Sequence, residues 1–486
     1  MGVTLYTSRV ILHALGVSDY GIYNIVGGVV AMFGFINGAM ASSTQRYLSF
    51  DIGKGDLEAL KKTFSASLTV HLMIAVFVVI IGESIGLWYI NYKMVFPVER
   101  LLAVNVVYQF SLMTLFLDIV QVPYNALILA RERMNVYAYV SIFEAFLKLS
   151  VALSLLYFGF DKLILYSILT FFVAFIVRLS YQVYCKKNFQ ESKYKFEYDP
   201  NYLRELISYS GWNLFGALSL VGKNQGVNIV LNLFFGTVIN AAFGIAMQVQ
   251  AAVTQFVSNF QSALNPQIIQ NYASNNKERF LNLMFLGAKF SFFVMQFLAV
   301  PLILHLNIVL QFWLGHNVPD STSIFLRISL IMLLIDSISG PLTTGVLAVG
   351  KLKSYQLYIG GMNLFVPLVV YILMSYGMDA YYAFIVLVVF SIFSMLLRVY
   401  FLRKYLEFRI YLIIREVFFP IILTCLSGAL LVFIIDKVIN VNNGVDLCIW
   451  TFFYVLFQSM AVFFLGLNNN ERQQLLSIFR KRINTK

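Results

Sequence analysis

Long apolar runs separated by short polar breaks are the main feature of this sequence. Apolar segments of about 20 residues recur along it, the length that an α-helix needs to cross the hydrocarbon core of a bilayer. The strands of a membrane β-barrel would instead alternate over about 10 residues. The pattern therefore predicts an all-α polytopic membrane protein. Fourteen helices are predicted, at about 2–15, 20–45, 64–90, 101–128, 138–158, 163–185, 206–235, 238–265, 282–306, 322–349, 354–376, 379–402, 412–436 and 446–467.

The first predicted helix, 2–15, is shorter than the roughly 20 residues that a spanning helix needs, so we interpret it as truncated. It also lacks the basic region and the small-residue cleavage site of a signal peptide. We therefore expect an incomplete first crossing and not a cleaved leader.

The composition agrees with this class and limits the possible functions. The chain has 486 residues, of which 60% are hydrophobic and 12% are charged, and its mean hydropathy is +0.78, whereas roughly a quarter of the residues in soluble domains are charged. The net charge of +12 comes from Lys and Arg in the polar breaks and not from basic patches interleaved with aromatic residues, which argues against nucleic-acid binding. Cys185, Cys425 and Cys448 are too widely spaced for a disulfide framework or a metal site. We predict no metal, no cofactor and no catalytic residue.

Lys and Arg are distributed unevenly between alternate breaks. One set of breaks, together with the C-terminal tail, holds 24 of them, and the other set holds only four. Because basic loops remain in the cytoplasm, this asymmetry predicts a cytoplasmic C-terminus in a multi-pass protein of the bacterial inner membrane. The predicted domains are an N-terminal six-helix lobe (1–185), a cytoplasmic linker (186–205), a C-terminal six-helix lobe (206–402), two further transmembrane helices (403–467) and a basic cytoplasmic tail (468–486).

The two lobes are predicted to be repeats of each other. Residues 111–137 align without a gap on 329–355, which pairs Asp118 with Asp336 and Pro123 with Pro341. Asn37 and Gln45 have the same spacing as Asn259 and Gln267, at an offset of 222 residues that is close to the 218 of the first alignment. Each repeat contains an even number of helices, so the two repeats point in the same direction across the membrane.

Several segments then resemble a known family. They are TSRVILHALGVSDYGIYNIVGGVVAMFGFINGAMASSTQRYLSFDIGKGD (7–56), VPYNALILARERM (122–134), SGWNLFG (210–216) and GIAMQVQAAVTQFVSNFQSALNPQI (244–268). They are similar to bacterial polysaccharide-biosynthesis membrane proteins, the O-antigen or Wzx-type flippases of the multidrug/oligosaccharidyl-lipid/polysaccharide (MOP) exporter superfamily. The resemblance implies a V-shaped carrier of MATE-like lobes with two added helices, which moves undecaprenyl-pyrophosphate-linked oligosaccharide to the outer leaflet. Members of the family usually carry a complete first helix, and this chain departs from them there.

Cations inside the spans are the first candidates for contact with an anionic lipid-linked oligosaccharide. Lys223 lies near the middle of the seventh helix, where no short path leads to the interface, so its side chain should face a cavity or a carboxylate. Asn224, Gln225 and Asn228 follow it and could contact sugar hydroxyls. Arg9 and Arg327 lie nearer the ends of their helices, where snorkelling to the interface is an equally good explanation. Arg46 could donate two parallel hydrogen bonds from its guanidinium to a pyrophosphate. The excess of basic residues at cytoplasmic helix ends already accounts for an arginine at this position, however.

Carboxylates inside the spans are candidates for ion coupling. Asp118 and Asp336 can take up and release a proton if they are withdrawn from water, and Pro123 and Pro341 permit bending beside them. Either Asp could instead only hydrogen-bond a neighbouring helix. Glu83 in the third helix is a second-rank coupling candidate, whereas Glu144 and Lys148 stand four residues apart and are predicted to form a structural ion pair.

Three functions remain open on the sequence. A flippase working by alternating access, with a proton or sodium ion as coupling ion, is preferred, and its partners would be the lipid-linked oligosaccharide, bilayer lipid and other polysaccharide-assembly membrane proteins. The alternative is a proton- or sodium-coupled multidrug exporter, for which a cavity dominated by carboxylates is expected. A membrane-embedded polymerase or ligase ranks lower, because the predicted outer loops are short and nearly free of ionisable groups.

Overall fold

The fold is all-α. The computed structural model describes residues 2–31, 34–94, 96–157, 159–195, 199–314, 321–439, 441, 443–473 and 476–477, and no β-strand occurs among them. The α-helices are α1 (Gly2–Ala31), α2 (Gly34–Lys54), α3 (Leu57–Ile81), α4 (Leu87–Tyr92), α5 (Leu101–Ala130), α6 (Met134–Ser154), α7 (Lys162–Asn188), α8 (Pro200–Ala273), α9 (Lys277–Leu304), α10 (Leu306–Leu314), α11 (Ser321–Val349), α12 (Leu352–Ser375), α13 (Tyr381–Leu406), α14 (Ile410–Ile413), α15 (Phe419–Val438) and α16 (Gly444–Ala461).

Three short π-helical turns continue these helices. They are Gly82–Gly86 between α3 and α4, Ile414–Phe418 between α14 and α15, and Val462–Gly466 after α16. Within the described residues, ten helical segments are long and apolar enough to cross a membrane. The prediction of an all-α polytopic membrane protein is confirmed. The four predicted crossings at 2–15, 20–45, 206–235 and 238–265 fall on α1, α2 and α8, which are not among those ten.

Two glycines break the longest helices at corresponding places. Gly16 in α1 has φ 75° and ψ 169°, and Gly236 in α8 has φ 74° and ψ −164°. This region of backbone conformation is open in practice only to glycine, because a Cβ would collide with the neighbouring peptide groups. Each glycine therefore ends one predicted helix and starts the next, and the offset of 220 residues between them agrees with the predicted duplication.

The chain forms two compact units, unit 1 with residues 1–218 and 272–275, and unit 2 with residues 219–271 and 276–486. In unit 1, α5 is the central helix and packs against α1, α2, α3, α6 and α7. In unit 2, α11 lies between α9 and α13, and α12 packs on α13. The stretches that align best in the sequence therefore belong to the central helix of each unit, where packing on several sides restricts the residues that fit.

The linker predicted at 186–205 is held against α3 of unit 1 along its described residues. Glu191 is 2% exposed and accepts hydrogen bonds from Arg131 at 2.7 and 2.5 Å, and Lys62 Nζ lies 2.6 Å from Asp199. The backbone N–H of Lys195 donates to Ser65 Oγ at 3.3 Å. The predicted domain boundaries remain a prediction, and the division between the two units falls between residues 218 and 219, within α8.

The helices beyond α13 are joined to α9 by polar contacts along its length. Gln296 of α9 and Gln458 of α16 both donate to the carbonyl oxygen of Thr424 in α15, at 3.2 and 2.9 Å. Nearer the start of α9, Lys289 Nζ lies 2.8 and 2.9 Å from the two carboxylate oxygens of Glu471. Partners of this kind are expected at buried polar groups, and they fix α15 and α16 on α9.

Candidate functional site

Lys223 lies in unit 2 on the part of α8 that packs against α12. Gly222 and Gly226 form the contact face, and a Cβ on Gly226 would lie 2.5 Å from Cγ of Pro367 in α12. The two glycines therefore bring the backbones of α8 and α12 close together. Lys223 is half-buried, and Asn224 and Gln225 are exposed beside it, while Asn228 is half-buried one turn further on.

Asp336 and Arg398 are the charged neighbours of Lys223. Asp336 on α11 accepts a hydrogen bond from Ser391 Oγ of α13, and both Asp336 and Arg398 interact electrostatically with Lys223. Arg398 Nε donates to Thr343 Oγ1 at 3.0 Å and to the Tyr355 hydroxyl at 3.2 Å. Three helices, α8, α11 and α13, thus contribute the ionisable side chains of this group, which we call the Lys223 cluster.

The Lys223 cluster has two cations and one carboxylate. Arg398 Nη1 is buried and has no hydrogen-bond partner in the described part of the chain. A buried guanidinium nitrogen without an acceptor is costly, and an anion would supply the acceptor. Arginine also suits phosphate because its planar fork donates two parallel hydrogen bonds. The cluster can therefore hold an anionic group, with Asn224, Gln225 and Asn228 nearby as donors and acceptors.

Asp118 lies in a separate cavity within unit 1. The cavity has a volume of about 270 Å³ and is formed by α1, α2, α5 and α7; its lining residues are Tyr23, Gly27, Val30, Gly34, Asn37, Ser111, Thr114, Leu115, Asp118, Ser167 and Thr170. Asp118 is the only ionisable carboxylate in that lining. Asn37 Oδ1 is buried and has no hydrogen-bond partner among the described residues. This collection of hydroxyl, amide and carboxylate oxygens can take up a proton or surround a small cation.

Pro123 and Pro341 lie inside continuous helices, α5 and α11. A proline cannot donate to the carbonyl four residues earlier, which is that of Ser337 in the case of Pro341. Gln261 of α8 fills this gap, since its Nε2 donates to the Ser337 carbonyl and to Ser291 Oγ, each at 3.1 Å. The proline of unit 2 is therefore supported by a neighbouring helix, while a hinge role for either proline remains a prediction.

Arg46 is enclosed by aromatic rings of unit 1. Its Cζ lies 4.7 Å from the ring centroids of Tyr47 and Phe50 and 5.3 Å from that of Tyr209, and the residue is 7% exposed. Cation–π contacts of this kind stabilise a guanidinium in place. The surroundings favour a packing role for Arg46 over contact with a pyrophosphate, although the predicted contact is untested.

The remaining predicted residues lie outside both groups. Arg327 is exposed near the start of α11, as expected for a snorkelling side chain. Glu83 lies in the π-helical turn after α3 and borders a different cavity from that of Asp118. The side chain of Arg9 is outside the described residues. Glu144 and Lys148 form the predicted ion pair, with Nζ and Oε1 2.6 Å apart.

The sequence interpretation missed Arg398 and its counterpart Arg178. Arg178 lies on α7, and its Nε is buried without a hydrogen-bond partner in the described residues. The two arginines are 220 residues apart, close to the offset of the other repeated pairs, so extending the alignment could have found them. No group of three or more His, Cys, Asp or Glu side chains suited to a metal ion occurs in the part of the chain that is described.

Comparison with known proteins places the fold. No protein-family model matches the sequence, and no curated protein matches it. Solved structures do match. A MATE transporter in its bent conformation aligns with a TM-score of 0.71 at 14% identity, over 83% of this chain and 92% of the other. An outward-facing multidrug resistance MATE family transporter of the MOP superfamily aligns at 0.69 and 14% identity, over 83% and 91%.

A third structure, a MOP superfamily transporter from Pyrococcus furiosus described as having a binding pocket of reversed polarity, aligns with a TM-score of 0.70 at 13% identity, over 84% of this chain and 93% of the other. The chain therefore has the fold of MATE transporters of the MOP superfamily. This confirms the fold expected from the sequence, whereas the flippase branch of the superfamily remains a prediction.

Proposed function

We propose that this protein is a membrane transporter that moves an anionic lipid-linked oligosaccharide, carried on undecaprenyl pyrophosphate, across the bilayer by alternating access. Its fold is that of proteins that are transporters. We choose an anionic cargo because of the Lys223 cluster, in which Lys223 and Arg398 are positively charged and only Asp336 is negatively charged. A pyrophosphate cannot leave water without partners for its charge, and this cluster supplies two cationic donors within the spans.

The polar residues beside Lys223 fit the sugar part of such a cargo. Asn224 and Gln225 are exposed on the same turn of α8, and amide groups both donate to and accept from hydroxyls. Asn228 lies one turn further along the helix. Under this proposal the cations hold the pyrophosphate and the amides contact the first sugars, while the polyprenyl chain stays in the lipid.

The Asp118 cavity supplies a place for the coupling ion. Its carboxylate is accompanied by the hydroxyls of Ser111, Thr114, Ser167 and Thr170 and by the unpartnered carbonyl of Asn37. Uptake of a proton or a sodium ion there would change the charge of a site in the span, and such a change can favour one state of a carrier over another. We therefore assign coupling to Asp118 in preference to Asp336, which already accepts a hydrogen bond from Ser391.

The second candidate is export of a cationic drug. The observation that favours it is the same Asp118 cavity, because a carboxylate in a partly apolar cavity attracts an organic cation. One relative in fold is described as a multidrug resistance transporter, and another as having a pocket of reversed polarity that suggests a different function. For this chain, the two cations of the Lys223 cluster favour anionic cargo.

The test compares variants in a strain that lacks the gene. We expect lipid-linked oligosaccharide to accumulate on the cytoplasmic side in that strain and wild-type protein to remove it. Lys223→Met should lower export roughly tenfold or more at equal membrane abundance, because a lost charge-assisted hydrogen bond costs about 1.5–3 kcal/mol. Lys61→Met is the matched control, since Lys61 is partly exposed and paired with Glu58 on its own helix.

Two further measurements separate the candidates. Asp118→Asn should abolish the dependence of export on the ion gradient while leaving binding of the lipid-linked oligosaccharide intact. If the deleted strain accumulates no lipid-linked oligosaccharide and instead becomes sensitive to cationic drugs, the anionic cargo is refuted and the drug exporter is supported. Equal export by Lys223→Met and Lys61→Met would also contradict the assignment of Lys223.

A further inference from the structure

A groove on the side of unit 1 holds a carboxylate that the proposed transport function does not use. Its floor is α5, and its walls are the end of α3 on one side and α7 on the other. It has a volume of about 290 Å³ and is lined by Val79, Glu83, Gln109, Leu112, Met113, Phe116, Leu117 and Phe171. Glu83 is the only ionisable residue of this lining, and Gln109 Nε2 donates to its Oε2 at 3.1 Å.

The exposed side chains around Glu83 show that this face contacts lipid. Val76 and Ile80 are 46% and 59% exposed, and they precede Glu83 by seven and three residues, so all three lie on one side of the helix. Large apolar side chains that remain exposed on a membrane-spanning helix contact acyl chains. A carboxylate at such a position is expensive unless a partner accompanies it.

The local backbone fixes Glu83 at this position. Gly82 and Gly86 bracket it in a π-helical turn, and both pack on Tyr108 of α5, whose hydroxyl donates to the Gly82 carbonyl at 2.7 Å. A Cβ on Gly86 would lie 2.2 Å from that hydroxyl. The turn is therefore specified by small residues and one tyrosine, and π-helical turns of this kind are frequent at functional sites.

The depth of Glu83 matches a lipid headgroup. Trp88, Tyr89 and Tyr92 are 48%, 43% and 78% exposed and form an aromatic belt in α4, next to a loop that belongs to the set of breaks with few Lys and Arg. Aromatic belts of this kind mark the membrane interface. Glu83 precedes Trp88 by five residues, which is about 7.5 Å along a helix. It thus lies just below the interface, within reach of the headgroup layer.

We propose that this groove binds a phospholipid with a primary-amine headgroup, such as phosphatidylethanolamine. The ammonium group would donate to the Glu83 carboxylate and neutralise it, and a charge-assisted hydrogen bond is the strongest kind available in this environment. One acyl chain would lie along Met113, Phe116 and Phe171. A phospholipid with an anionic headgroup would bring a second negative charge, and phosphatidylcholine has a cation without N–H donors.

Native mass spectrometry of the full-length protein released from nanodiscs tests this site. Nanodiscs would contain phosphatidylethanolamine, phosphatidylcholine and phosphatidylglycerol in equal amounts. We expect wild type to retain phosphatidylethanolamine preferentially. In Glu83→Gln, the ratio of retained phosphatidylethanolamine to the other two lipids should fall about tenfold. Glu99→Gln should keep it, because Glu99 is exposed in the following turn and away from the groove.

A second variant tests the site independently, in case Glu83→Gln impairs folding. Met113→Trp fills the apolar part of the groove without changing its charge, and it should also reduce retention of phosphatidylethanolamine. The proposal is overturned if wild type retains the three lipids equally, or if Glu83→Gln keeps the wild-type preference. Neither outcome affects the proposed transport function, since no residue of the Lys223 cluster and no residue of the Asp118 cavity lines this groove.

Discussion

Breaking the ion pair between Lys289 and Glu471 should destabilise unit 2 strongly. The Lys289 side chain is 2% exposed and that of Glu471 is 12% exposed, and Nζ lies 2.8 and 2.9 Å from the two carboxylate oxygens. Glu471 also accepts from the backbone N–H of Asn468 at 2.8 Å, and its own N–H donates to Asn468 Oδ1 at 2.9 Å. This reciprocal cap fixes the carboxylate where the lysine needs it.

The expected magnitude follows from burial. Removing one partner of a buried pair leaves an uncompensated charge and costs about 3–5 kcal/mol. Glu471→Gln should therefore lower the Tm of the purified protein by roughly 6–20 °C, taking about 2–4 °C per kcal/mol for a unit of this size. Lys289→Met should cost less, because Glu471 keeps its hydrogen bond to Asn468. The double variant should be more stable than Glu471→Gln alone, since no charge then remains buried without a partner.

Thermal unfolding in detergent, combined into a double-mutant cycle, measures the coupling between the two side chains. Lys61→Met is the control, because it breaks the ion pair between Lys61 and Glu58. The side chains of Lys61 and Glu58 are 39% and 84% exposed, and exposed pairs of this kind contribute about 0–1 kcal/mol to stability. A Tm change of less than about 2 °C for Glu471→Gln would refute the reasoning. Strict additivity of the two single substitutions would refute it as well.

Three further predictions follow from local structure. Gly16→Ala and Gly236→Ala should each lower the unfolding free energy by about 1–3 kcal/mol, because the backbone conformation at each glycine is unfavourable for a residue with a Cβ. Apart from the neighbouring residues and the nearby backbone of the same helix, no atom lies within 4 Å of either added Cβ, so the cost comes from the backbone alone, and an unchanged Tm would contradict it. Burial alone would raise the pKa of the Asp161 carboxyl, but hydrogen bonds from Arg100 and two backbone amides outweigh it and lower that pKa. Its stabilising effect is therefore present above the unfolded pKa of about 3.9 and is lost as the pH falls through the lower folded value. Asp161→Asn should be less stable than wild type at pH 7, and the difference in stability should disappear once the pH is below the folded pKa. Gln261→Ala should lower unfolding free energy by about 1–3 kcal/mol by leaving a carbonyl beside Pro341 unpaired, and an unchanged Tm would contradict this.

The hydrophobic pattern predicted where the helices lie in the sequence better than it predicted the residues at which they begin and end. The third helix was predicted to start near residue 64, yet α3 begins at Leu57, where the side chain of Asp56 accepts from the Ala59 amide at 2.9 Å. Hydropathy marks the part of a helix that contacts acyl chains, whereas backbone hydrogen bonding continues into the polar residues beyond it. The same reason explains why α2 extends to Lys54, past the predicted end near residue 45.

The candidate site could be predicted residue by residue but not as a group. Lys223 and Asp336 were each selected because an ionisable residue inside a span needs a partner. That they belong to one cluster depends on the spatial order of α8, α11 and α13, which the sequence does not contain. Arg46 illustrates the converse, since its aromatic partner Tyr209 comes from a distant part of the chain and the charge pattern gave no sign of it.

The paired carboxylates have different surroundings, and this difference bears on mechanism. Asp118 and Asp336 occupy the same position of the repeat, but Asp336 has Lys223 and Ser391 as neighbours, whereas Asp118 borders a cavity lined by neutral polar and apolar groups and interacts electrostatically with Glu144 and Lys148 of α6. Under the proposed transport function, this difference assigns ion coupling to Asp118 of unit 1 and contact with the anionic cargo to the Lys223 cluster of unit 2.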